Sequence, residues 1–346
     1  MIATAERPNP PSRRITLLLL PMLSMLAGTG CTDSFLITPV RTNKALEESV
    51  LQRDSIWTNE KIALIDVSGI IMNGTQSPLF GSGENPVARF KEQLDFARKD
   101  NSVKGVILRI NSPGGGVVAS EIMHQELTAF REKTDKPVVA VMMDVAASGG
   151  YYLACGCDEI VAHPSTVTGS IGVIMQMFDL TGTMEMIGVT SDAITSGPNK
   201  DAGSPFRSMD PDERAIFQSI VLDMYERFLD VVKKGRPGLD DAKIRRLADG
   251  RIYSASQAME NGLIDKIGNM RDTIESMKER IGAEDVTLVT YRRPYGFAPN
   301  YYAAAPQSPL HGNGAPTTQI NMLHLDAQQL GLGRTPQFMY LWSPGK

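Results

Sequence analysis

The chain has 346 residues, 42% of them hydrophobic, with 35 Lys and Arg against 39 Asp and Glu and a formal net charge of −4. That length holds a substantial core in one large domain or two modest ones. The acidic balance and the lack of a basic block argue against nucleic acid as the main partner.

In chain order, Arg13-Arg14 precede an apolar run from Ile15 to about Ala27, and Gly28-Thr-Gly30 lead to Cys31. A positive start, a short apolar stretch and small residues read as a secretory leader over 1–31. The run is short for a permanent span, which takes about 20 apolar residues. Cys31 after small residues resembles a lipoprotein cleavage site, although the usual leucine lies further upstream than that motif puts it. Lipidation of Cys31, an uncleaved anchor and ordinary secretion all stay open, and Ser12-Arg-Arg14 is a weak hint of twin-arginine export. The localisation expected from this leader is the cell envelope, exported and membrane-associated. Residues 32–58 are expected to form a polar stalk.

From there the pattern is α/β. Ile62–Val67 reads as a strand. Val87, Phe90, Leu94 and Ala97 recur at helical spacing up to Lys99. Val103–Ile110 is a strand, Val117–Arg131 a helix and Pro137–Met143 a further strand; strand then helix, repeated, argues a parallel sheet with crossover helices. Pro211–Lys233 is a long amphipathic helix with Ile216, Ile220, Met224 and Phe228 on one face, suited to core packing or oligomer contact. Residues 292–346, rich in Pro, Gly, Ala and Gln, are expected to form an irregular tail. Its Phe338-Met-Tyr-Leu-Trp342 cluster would dock either in a substrate groove or elsewhere on an oligomer.

Asp144-Val-Ala-Ala-Ser148-Gly-Gly-Tyr-Tyr-Leu-Ala154 carries the chemistry. A single serine between small residues, after a buried strand and at a helix start, leaves its hydroxyl uncovered beside free backbone N–H groups. The same pattern also suits a helix cap. A serine nucleophile needs a base. His311 and His324 fall in the irregular tail, His124 is expected on a solvated helix face, and His163 precedes Pro164 at a strand end. Lys200, in Ser196-Gly-Pro-Asn-Lys200-Asp-Ala-Gly203, fits better, provided burial or a neighbouring cation depresses an amine whose ordinary pKa is about 10.4. Taken alone, it reads more readily as a solvated loop lysine than as a base. Cys155 and Cys157 are too few for a metal site and too close to bridge comfortably, and are expected as small buried residues.

Asn111-Ser-Pro-Gly-Gly-Gly116, Ala147-Ser-Gly-Gly-Tyr-Tyr152, Thr168-Gly-Ser-Ile-Gly-Val173, the lysine loop up to Arg207, and Gly250-Arg-Ile-Tyr-Ser-Ala-Ser-Gln-Ala258 with Gly262-Leu-Ile-Asp265 stand in one order. On these motifs the chain resembles the signal peptide peptidase A family, the S49 serine peptidases, in its short single-repeat form. The resemblance spans roughly Lys61 to Ile281 and gives a peptidase domain over 59–291. It implies a ClpP/crotonase-like spiral fold, Ser148 as nucleophile and Lys200 as general base. It also implies an oxyanion site from Gly114, Gly115 and Gly149, and Ser170 orienting the lysine. No metal or organic cofactor is implied. Apolar peptides such as released signal peptide remnants would be the substrates. A ring-like homo-oligomer would follow, with Lys200 of one subunit serving Ser148 of its neighbour. Two other readings share the fold: a crotonase-type acyl-CoA enzyme, against which the leader and the Ser/Lys pair count, and a non-catalytic envelope scaffold.

Overall fold

In a computed structural model, residues 45–74, 84–293 and 338–342 are described. Cys31, His311 and His324 lie outside them. The elements in chain order are β1 (Glu47–Arg53), β2 (Lys61–Ser68), α1 (Pro86–Lys99), β3 (Val103–Ser112), β4 (Gly114–Gly116), α2 (Val117–Lys133), β5 (Val138–Ala147), α3 (Gly149–Ala154), β6 (Glu159–Ala162), β7 (Val167–Gly169), β8 (Ile174–Met175), α4 (Thr181–Met186), α5 (Pro211–Gly235), α6 (Asp241–Leu247), β9 (Ile252–Ser254), α7 (Ala255–Asn261), β10 (Lys266–Ile267), α8 (Met270–Ile281), β11 (Thr287–Arg292) and β12 (Phe338–Leu341).

The main sheet runs β1-β11-β2-β3-β5-β6-β10, with β7 beside the far end of β5 and β9 beside β7. Pairings from β11 to β10 are parallel; only β1 with β11 and β7 with β9 are antiparallel. This is the expected α/β architecture of parallel strands and crossover helices. The central strands are buried on both faces, so they read as continuous apolar runs, not alternations. One face packs on α1, α2, α3 and the C-terminal end of α5, through Phe90, Leu127, Phe130 and Phe228. The other packs on α8 through Met270, Ile274 and Met277.

Local chemistry sets the helix ends. The Asn85 side chain accepts from the amides of Val87 and Ala88 ahead of Pro86, and Asp210 and Glu213 form a capping box at the start of α5. In α5 the apolar stripe is buried only at its C-terminal end: Phe228 is inside while Ile216 is exposed. The helix therefore stands out from the domain with apolar side chains on view.

Within the segment expected as a stalk, residues 47–53 form an edge strand on β11. Its charged sequence, EESVLQR, hides it from a search for alternation and suits an edge that must not recruit other strands. Cys155 and Cys157 are buried free thiols, as expected. Burial pushes the Cys155 thiol up to about 12 and that of Cys157 higher still. His124 differs from expectation. Its ring meets Tyr152 edge-on at 5.1 Å, because α2 turns that side toward α3, not toward water. Burial, with Lys234 and Arg131 nearby, lowers its pKa to about 4.

Candidate active site

β5 carries the serine to its position. Its register against β3 slips between Ile110–Met142 and Ser112–Ala146. Asn111 bridges the slip, accepting the Val145 N–H at 3.2 Å and donating to Asp144 at 3.1 Å. Such a slip bends a strand and re-aims the residues beyond it. Ser148, at the end of the strand, has φ 53° and ψ −116°, a conformation that costs a non-glycine residue about 1–3 kcal/mol. Three neighbours hold it there. The Ser148 N–H donates to the Gly169 carbonyl at 2.7 Å, the Ser148 carbonyl accepts from the Tyr152 N–H at 2.8 Å, and the Thr168 hydroxyl donates to the Ala146 carbonyl at 2.6 Å. Ser148 is 1% exposed, and its hydroxyl oxygen is buried without a hydrogen-bond partner. A buried hydroxyl left unpaired is costly unless a ligand or reaction uses it.

Beside it lies the glycine turn. Ile71 donates its N–H to the Gly114 carbonyl at 2.9 Å and accepts from the Gly116 N–H at 2.8 Å. Successive amides of an extended strand point to opposite sides, so the Gly115 N–H faces away from Ile71. Gly114 sits at φ 99°. A methyl group on Gly115 would overlap the Ile71 carbonyl. One on Gly149 would overlap the Ser120 hydroxyl and stand 3.1 Å from the Gly114 Cα and 3.2 Å from the Gly115 amide nitrogen. Backbones this close tolerate no side chain, which is why glycines stand here. The structure thus brings Ser148, Gly114, Gly115 and Gly149 together, with backbone donors where an oxyanion would form.

Ser170 joins them. Ala147 on β5 is the register partner of Gly169 on β7, so Ser148 and Ser170 leave two parallel strands side by side. Ser170 also has a positive φ, 49°, and its N–H donates to the Arg251 carbonyl at 2.8 Å.

Lys200 is elsewhere. It lies exposed in the segment between β8 and α5, its ammonium making no hydrogen bond or ion pair among the described residues, Ser148 included. Next to it, Asp201 is gripped by Arg207 at 2.7 and 2.9 Å, and the same guanidinium holds Glu213 at the start of α5. The lysine's loop is therefore pinned to α5. His163 is exposed at a strand end, its Nδ1 accepting the Ser165 N–H at 3.2 Å.

The apolar cluster of the tail, expected to be irregular and to dock, forms the strand β12 against the glycine turn. Phe338–Leu341 lies between β4 and β8 as the middle strand of a small antiparallel sheet. Tyr340 stands opposite Gly115, and the Trp342 N–H donates to the Pro113 carbonyl at 2.8 Å. The Tyr340 ring is fully buried, stacked on Tyr152 at 5.1 Å and tilted against Phe228 at 4.7 Å, and its hydroxyl donates to the Met224 carbonyl at 3.0 Å. In sequence the apolar cluster Phe338–Trp342 hints at docking, but its partners lie far away along the chain and give no local signal. Among the described residues no group of side chains could hold a metal, and no helix is long and apolar enough to cross a membrane.

Comparison with known proteins gives relatives across most of the chain. The profile of peptidase family S49 matches residues 130–284. A protein of Enterococcus faecium, provisionally named signal peptide peptidase SppA, is 35% identical over 315 residues, covering 91% of this chain and 88% of that one. Protease 4 of Haemophilus influenzae is 38% identical over 231 residues, 66% of this chain but only 36% of its own length. A protein of Synechocystis named as a protease is 37% identical over 215 residues, 62% of this chain and 72% of that one.

Proposed function

The chain belongs to peptidase family S49, and on that premise we propose that it is a serine endopeptidase working through Ser148 and Lys200. The Ser148 hydroxyl attacks a peptide carbonyl and gives its proton to the Lys200 amine. The oxyanion is held by the N–H groups of Gly115 and Gly149, in a turn that Gly114 makes possible. The lysine ammonium then protonates the leaving amine, and the neutral amine activates water to release the acyl group. The observation that carries this reading is the unpaired, buried hydroxyl of Ser148 on a strained turn against the two glycine backbones.

The lysine that completes each site comes from a neighbouring copy. Two observations support this: Lys200 lies exposed without a bond to its own Ser148, and its segment carries unpartnered apolar side chains, among them Met186, Ile187, Ile194 and Phe206. Apolar residues concentrated on one protruding arm mark a surface for association. Ser170, beside Ser148, would then orient the incoming amine. Apolar peptides such as signal peptide remnants at a membrane are the substrates this reading favours; the Enterococcus faecium relative is named for that activity.

Hydrolysis of an apolar fluorogenic peptide by the detergent-solubilised full chain tests this. Ser148→Ala and Lys200→Ala are each expected to lose activity while remaining folded. Mixing the two under exchange conditions is expected to restore part of it, because a shared site then pairs an intact serine with an intact lysine. Full activity in Lys200→Ala would sink the dyad; two dead variants that never complement would sink the shared site.

A further inference from the structure

We infer that Ser112 is a positioning residue for the reaction: its buried hydroxyl locks the turn at Gly114 so that the Gly115 N–H points at the reacting carbonyl. This deepens the peptidase reading and rests on it. Ser112 ends β3 and is 0% exposed. Its hydroxyl donates to the Gly69 carbonyl at 2.6 Å and accepts the Gly114 N–H at 3.1 Å. One side chain thus joins the segment after β2 to the glycine turn. Gly69 is held from the same strand on its other side, donating its N–H to the Asn111 carbonyl at 3.0 Å.

The turn needs such a lock. In the peptide plane between Gly114 and Gly115 the carbonyl and the N–H point opposite ways. With the Gly114 carbonyl on the Ile71 N–H, the Gly115 N–H is left facing the site. Rotation of that plane would put a carbonyl oxygen where the oxyanion forms. Glycines flank the plane on both sides, Gly114 at φ 99°, and offer no Cβ to resist the rotation. Ser112 acts on both things that resist it. It pins the plane before the turn through the Gly114 N–H, and it fixes Gly69, two residues ahead of the Ile71 that holds the plane itself. The Gly114 N–H, spent on Ser112, is no oxyanion donor, which leaves Gly115 and Gly149. Ser112 also sets the distance to the second of these. A methyl group on Gly150 would stand 2.8 Å from the Ser112 carbonyl oxygen and 3.5 Å from the Ser112 Cβ, so the residue packs directly on the start of α3.

The test compares Ser112→Ala with wild type and with Val106→Ala, all as the detergent-solubilised full chain. Val106 is buried earlier on the same strand, so its truncation controls for lost stability alone. With an apolar fluorogenic peptide, Ser112→Ala is expected to lower kcat about 10- to 100-fold, approaching the loss of an oxyanion donor. Its KM should stay within about threefold, because the lock acts on the transition state. Val106→Ala should keep its kcat. A peptide aldehyde and the matching peptide alcohol then separate the oxyanion from ordinary binding. The Ser148 Oγ adds to the aldehyde carbon, its proton passes to the lysine amine, and the former carbonyl oxygen takes the negative charge; the alcohol cannot react. Ser112→Ala should weaken the aldehyde in step with kcat/KM and leave the alcohol within about threefold. An unchanged kcat, or equal weakening of aldehyde and alcohol, overturns the inference. Amide exchange at Gly116, whose N–H is bonded to the Ile71 carbonyl at 2.8 Å, reads the turn without catalysis. Exchange about tenfold faster in Ser112→Ala than in Val106→Ala supports the lock, and equal rates overturn it. If wild type hydrolyses no peptide, the peptidase reading falls and the exchange rates still decide the lock. Should Ser112→Ala not fold, Ser112→Cys, with only a weak donor and acceptor in its thiol, is read by the same measures.

Discussion

Ser148 donates its backbone N–H to the carbonyl of Gly169 at 2.7 Å, so the strained serine is tied to the turn that carries the second positive-φ serine, Ser170. Both serines come directly after register partners on parallel strands. The geometry of the candidate nucleophile therefore depends on β7, a strand of three residues supported on its other side by β9.

Gly169 is the weak point of that support. It sits at φ 84°, and a methyl group there would stand 2.5 Å from the Tyr253 ring. Gly169→Ala is expected to lower stability by about 1–3 kcal/mol and to lower turnover more than Ser170→Gly does. Ser170→Gly relieves a strained φ at the cost of chain entropy, so its Tm should stay close to wild type while kcat falls. A Ser170→Gly enzyme with unchanged kcat would remove the orienting role.

Gly149 and Ser120 form a testable pair. Gly149→Ala places a methyl on the Ser120 hydroxyl, and Ser120→Ala removes that oxygen. The double variant is expected to be more stable than the sum of the two single changes predicts, by about 0.5–2 kcal/mol. Chemical denaturation of the four proteins measures it, and simple additivity would mean that the Gly114 and Gly115 backbones, not Ser120, set the limit.

Arg207 acts on the lysine at one remove. Arg207→Ala frees Asp201 from α5 and, if Lys200 is the base proposed above, should lower kcat/KM about tenfold or more through its misplacement. Arg207 and Asp201 are half-exposed, and the buried Glu213 keeps the Asp210 N–H when Arg207 is lost, so the Tm should shift by only a few degrees. Arg207→Lys cannot span both carboxylates in the same fork and should rescue little. A kcat/KM in Arg207→Ala equal to wild type would show that the lysine's loop needs no such anchor.

Acid should find His124. Its folded pKa of about 4 lies below the ordinary value of 6.5, so below pH 6.5 the unfolded chain binds a proton that the folded one does not. The His124 contribution is intact above 6.5, is lost progressively as pH falls toward 4, and then levels off. Its size is on the order of 2–3 kcal/mol. Urea midpoints at pH 7 and pH 4.5 should converge in His124→Gln relative to wild type. An equal acid sensitivity in both proteins would assign it to other groups.

The sheet and its crossover helices are legible in the sequence because burial on both faces turns central strands into apolar runs, as in Val103–Ser112. The elbow at Ser148 is legible because close backbone approach demands glycine, and glycines are visible in sequence. His124 misleads because its helix presents polar neighbours in sequence, while the face that counts is set by where Tyr152 comes to rest. The edge strand β1 carries no alternation to find. Lys200 can be singled out only by family resemblance, since an exposed loop lysine has no local signature of its role. The Tyr340 pocket is out of reach because it joins segments separated by more than 100 residues, and no periodicity encodes that.

The middle position of β12 in its small sheet, along the glycine turn beside Ser148, limits what could take its place. An occupant of that position must offer a bare, fully extended main chain to β4 on one side and β8 on the other. A helix or a native β-sheet has already spent those groups on itself. For the proposed peptidase that filter would be conformational: a compact native protein would be spared, and a chain would become a substrate on losing its fold.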